Sequence, residues 1–114
     1  MKRAYHIYLS DILQAFHNAR QFLEGLSYDE FVDDRKTTSA VVRELEIVGE
    51  AVKQIPPSIR KKYPEIPWSD MAGMRDKLIH FYFGVDMEIV WKTIIERIPK
   101  LEPLIQDVLN DLEK

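Results

Sequence analysis

Between residues 4 and 26, apolar side chains fall every three or four positions: Tyr5, Tyr8, Leu9, Ile12, Phe16, Ala19, Phe22, Leu23 and Leu26. Asp11, Gln14, Asn18, Gln21 and Glu24 occupy the gaps. This is the period of an α-helix with one wet face. The same period returns over residues 41–55, 89–98 and 101–112, and no segment alternates apolar with polar for long between turn signals. The expected fold is therefore all-α, a helical bundle of about five helices forming one domain over residues 1–114.

Local signals divide the bundle. Gly25 is a natural stop for the first helix. Ser27-Tyr28-Asp29-Glu30 has the Ser-x-x-Glu spacing of a capping box and predicts a short turn of helix through Phe31 and Val32. After the charged link Asp33-Asp34-Arg35-Lys36, Thr37, Thr38 or Ser39 is placed to cap a helix running to about Ile55, ahead of Pro56-Pro57. That helix is apolar over a wide arc, so it should be packed on more than one side. Residues 56–67 hold four prolines and the basic run Arg60-Lys61-Lys62, an expected connector with one short helical turn whose basic run is exposed. Trp68 opens the next helix, with Ser69 as its expected cap and Gly84 as its close. Asp86 can cap the helix after that, and Pro99 marks the next expected break. Trp68 and Trp91 read as core anchors.

The bulk properties exclude several classes of protein. No apolar run approaches the roughly 20 residues that span a bilayer. The opening residues do not resemble a secretory signal, and a cytoplasmic location is expected. There is no cysteine, hence no disulfide framework and no thiolate zinc site. His6 and His17 are about 16 Å apart along a helix, too far to share a metal. No metal site and no cofactor are expected. The net charge of −3 argues against gripping nucleic acid through an overall field, so any RNA must be recognised locally.

The stretch from Trp68 to Asp86 is the unusual one. It sets Asp76, Lys77, His80, Gly73 and Gly84 inside a segment that otherwise reads as a buried helix. Polar groups there are costly unless paired. Arg75 and Tyr82 are seven residues apart and share a face, whereas His80 lies about 140° round from Arg75. His80 shares its line with Gly73, Asp76, Lys77 and Gly84. Asp76, four residues earlier, can hold one ring nitrogen of His80. Small glycines on that line let another backbone come close, and two such helices about a twofold axis would pool arginine with histidine. That pair suits metal-free RNA cleavage, in which the ribose 2′-hydroxyl attacks the adjacent phosphate. Histidine would move the proton, arginine would hold the growing charge, and Tyr82 would bind a phosphate or stack on a base. Taken alone, Arg-x4-His is a weak pattern, and a hydrogen-bonded core histidine is the simpler reading of it.

More of the chain carries the signal. Arg75-Asp76-Lys77-Leu78-Ile79-His80-Phe81-Tyr82 resembles the Arg-x4-His-x-Tyr signature of HepT-like toxins in the HEPN superfamily. Arg43-Glu44-Leu45-Glu46-Ile47-Val48-Gly49-Glu50-Ala51, Tyr63-Pro64-Glu65-Ile66-Pro67-Trp68, and Tyr82-Phe83-Gly84-Val85-Asp86 with Trp91 also look like that branch. The resemblance covers roughly residues 8 to 105. It implies a homodimeric HEPN-like bundle with Arg75 and His80 forming a composite catalytic cleft between subunits. It also implies a metal-independent ribonuclease, the toxin of a toxin–antitoxin pair. Asp76 and Tyr82 would orient or contact the substrate. The implied partner is an MntA-like nucleotidyltransferase that neutralises the toxin by transferring AMP to the motif tyrosine, here Tyr82, within a dimer or a larger complex. The alternative is a non-catalytic helical module that docks such a nucleotidyltransferase or binds a nucleotide.

Overall fold

A computed structural model describes residues 2–80 and 86–114, with backbone alone at 2–4, 75 and 77–80. Every element among these residues is helical: α1 (Lys2–Leu23), α2 (Tyr28–Asp33), α3 (Arg35–Lys53), α4 (Pro57–Lys62), α5 (Trp68–His80), α6 (Met87–Lys92), a π-helical segment (Thr93–Arg97) and α7 (Ile98–Glu113). Residues 87–113 run without interruption, so the described chain makes six rods rather than about five. The short helical turn expected in the connector is α4, which the prolines help to start: Pro57 sits in the first turn, where its missing N–H costs nothing.

The core follows the apolar period. Leu9, Ile12, Phe16 and Ala19 of α1 are buried against Val41, Leu45, Val48 and Val52 of α3, and Ile98, Ile105 and Val108 of α7 complete the layer. Arg20 pairs with Glu102 and His6 with Glu113, so α1 and α7 run antiparallel. Trp91 is half-buried with its ring edge-on to Tyr28, centroids 5.7 Å apart, and tilted against Phe31 at 5.5 Å. Phe22, expected on the inner face of α1, is instead 41% exposed. No described helix is long and apolar enough to cross a membrane.

Two of the expected caps hold. Ser27 accepts from the Glu30 amide while Glu30 reaches back to the Ser27 amide, the full reciprocal box. Asp86 accepts from the amides of Glu88 and Ile89. Two others move. The α3 cap is Asp34, not Thr37, Thr38 or Ser39: its carboxylate accepts from the amide and the hydroxyl of Thr37, at 3.1 and 2.7 Å. Ser69 lies inside α5, because the helix already starts at Trp68 and the Met71 amide donates to Pro67. Gly25, at φ +81°, ends α1 as expected, with the last helical residue at Leu23.

Pro99 does not break the chain. In an α-helix its ring would press on the carbonyl four residues back. Just before it, the Ile98 amide bonds to Thr93, five residues back, and the widened π turn lets the helix continue.

Candidate active site on the fifth helix

The fifth helix is seated from its first residue. Trp68 is buried and its indole N–H donates to the Tyr63 carbonyl at 3.0 Å. Tyr63 in turn donates to Asp111 of α7 at 2.9 Å, and burial followed by that carboxylate pushes its phenol up from the usual range. Met71 and Met74 put the inner face of α5 into the core. The connector contributes too: Arg60 of α4 is half-buried, not an exposed turn residue, and donates to the carbonyls of Val52 (2.8 Å) and Ile55 (3.0 Å). It thereby satisfies one carbonyl in the last turn of α3 and one just beyond it. Lys61 and Lys62 are exposed, as expected.

Charge holds the outer side of α5. Asp70, in its first turn, forms an ion pair with Arg97 of the π segment. The Asp76 carboxylate lies 3.4 Å from Lys53 Nζ at the end of α3. Both are long-range pairs, 27 and 23 residues apart, and neither Arg97 nor Lys53 stands out in a sequence reading. Lys53 does carry one signal: it lies seven residues after Glu46 and three after Glu50, so it extends their polar line along α3. Glu46 itself meets Arg43 at 3.6 Å.

Arg75 and His80 both stand on the α5 backbone, five residues apart, which is a rise of about 7.5 Å with a turn of about 140°. Their side chains lie outside the described residues, as do Tyr82 and Gly84 in full. Asp76 stands next to Arg75 and one turn before His80, with its side chain exposed. Gly73 lies one turn earlier on the Asp76 line, and a Cβ placed there would meet no atom within 4 Å. Nothing within the described chain therefore requires a glycine at that position. Among the described residues no group of three or more histidines and carboxylates is placed to hold a metal ion.

A second polar feature is Glu44, buried between α1 and α3, whose carboxylate accepts from Asn18 Nδ2 at 2.7 Å. A cleft of about 580 Å³ lies between the end of α1, Trp91 and the π segment, and none of the described α5 side chains lines it.

Comparison with known proteins places these observations in a family. The family model described as ribonuclease HepT-like matches residues 12–108. A Thermococcus cleftensis protein named "Probable ribonuclease HepT" is 50% identical over 102 residues, covering 90% of this chain and 93% of the relative. A Methanocaldococcus jannaschii protein and one from Caldanaerobacter subterraneus subsp. tengcongensis, each named a "putative RNase", are 42% and 48% identical. The alignments cover 98% and 90% of this chain, and 93% and 92% of those relatives. No solved structure matches the chain.

Proposed function

Given that this chain belongs to the ribonuclease HepT-like family, we propose that it is a metal-independent endoribonuclease whose site is completed by a second copy. The observation that carries the reading is the family match across residues 12–108, which takes in Arg75, His80 and Tyr82, on a chain that sets Arg75 and His80 on one seated helix. In the proposed reaction the RNA supplies the nucleophile. The ribose 2′-hydroxyl attacks the neighbouring phosphorus while His80 takes its proton, the bond to the 5′-oxygen breaks to leave a 2′,3′-cyclic phosphate, and the imidazolium returns the proton to the departing 5′-oxygen. Arg75 presents a fixed fork of donors to the charge gathering on the phosphoryl oxygens. Asp76 orients the imidazole, and Tyr82 contacts the substrate.

The dimer is supported by Gly73. A glycine inside a helix costs about 0.5–1 kcal/mol relative to alanine, and among the described residues of one chain nothing gives it a reason. Close approach by a partner helix beside the motif would give one. The regulatory half of the proposal follows the family: an MntA-like nucleotidyltransferase transfers AMP to Tyr82, and the bulk and negative charge of the adenylyl group then block the cleft and repel RNA phosphate. In this reading the chain is the toxin of a toxin–antitoxin pair.

The test is cleavage of single-stranded RNA by the purified chain and by Arg75→Ala and His80→Ala. Each variant should lose cleavage while melting within a degree or two of the parent. A parent that does not cut RNA, yet forms a tight stoichiometric complex with a nucleotidyltransferase, would replace this reading with that of a docking module.

A further inference from the structure

Lys53 is the last residue of α3, and its ammonium reaches across to the motif helix. A lysine in the last turn of a helix ordinarily serves the exposed carbonyls and the dipole there. In this chain Arg60 already bonds the carbonyls of Val52 and Ile55. An ion pair that is 38% exposed on the lysine and 51% on the aspartate contributes little to stability. What the pair does is set an ammonium against Asp76, the neighbour of Arg75, one turn before His80. An ammonium has three donors, and the Asp76 contact uses one. The chain as a whole carries a charge of −3, so RNA held over α5 depends on cations near it. Arg97, which also meets α5, is engaged by Asp70.

Building on the ribonuclease reading, we infer that Lys53 is a substrate-positioning residue that binds an RNA phosphate flanking the scissile one, sharing its ammonium between that phosphate and Asp76. The assignment makes α3, and not the motif helix alone, part of the RNA-binding surface. It predicts a role in binding rather than in the chemical step.

The test uses a single-stranded RNA carrying 2′-O-methyl groups, which lacks the attacking hydroxyl, together with its unmodified counterpart. Lys53→Gln should weaken binding of the methylated RNA severalfold and lower the slope of log Kd against log salt by about 0.7, the loss of one phosphate contact on a single strand. On unmodified RNA it should raise KM with kcat nearly unchanged. Lys53→Arg, which keeps the charge, should restore both. Unaltered affinity and salt slope in Lys53→Gln, with kcat reduced, would overturn the inference and leave Lys53 as a tether for Asp76. A parent that binds the methylated RNA in a Lys53-dependent way but cuts no RNA would sink the ribonuclease reading while sustaining this one.

Discussion

The seam between α1 and α3 and the seating of α5 are built from different materials. Leu9, Ile12 and Phe16 meet Val41, Leu45 and Val48 with one buried polar bond, Asn18 to Glu44, inside the contact. Along α5 the described core contribution is Trp68, Met71 and Met74, and the outer side is held by Asp70 with Arg97 and by Asp76 with Lys53. Burial of apolar surface is non-directional and large, so the first seam fixes that the chain folds. Partly exposed ion pairs are worth about 0.2–1 kcal/mol each and specify direction more than energy. The ion pairs on the outer side of α5 therefore set its direction more than its stability.

Breaking each region should have opposite signatures. His80→Ala should cut the rate by about 10²–10⁴, the usual contribution of a positioned acid or base, with melting nearly unchanged; stopped-time RNA cleavage and a thermal melt read the two effects. Phe16→Ala should cost roughly 3–5 kcal/mol of stability through the cavity it leaves, measured by urea unfolding. Any activity it retains at low temperature should have a parent-like KM. The smallest effect sharpens the scaffold side. The bonds from Thr37 hold the Asp34 carboxyl below its usual value, and the bonds from Ser27 do the same for Glu30. A lowered folded pKa means these caps stabilise fully above the unfolded values near 3.8 and 4.5 and lose that contribution as pH falls through the lower folded values. Melting temperature should thus decline below about pH 4, and Asp34→Asn should make that decline shallower.

What the sequence discloses follows the range of the forces involved. The α1, α3 and α7 faces are legible because a 3.6-residue period is written in neighbouring positions. The Ser27 and Asp86 caps are legible because donor and acceptor lie within three residues. Asp34 is obscured by three hydroxyl residues just beyond it, although Asp34 and Thr37 have the same local spacing. Pro99 misleads because a proline can be absorbed by a π turn as well as by a break. Arg60 on the end of α3, Arg97 on Asp70 and Lys53 on Asp76 could not be read, since each contact exists only once α4, α5 and the π segment are in place. At the motif, residue types and spacing suggest the chemistry, and it is the family match, not periodicity, that supports proposing Arg75 and His80 for it.

Subunit mixing tests the central claim most directly. Arg75→Ala and His80→Ala chains, each inactive alone, are unfolded, combined, refolded and assayed on RNA. If the cut is made by arginine and histidine drawn from two copies, half of the dimers are mixed and one of their two sites is intact, so roughly a quarter of parental cleavage should return. A mixture as inactive as its components would contradict the account.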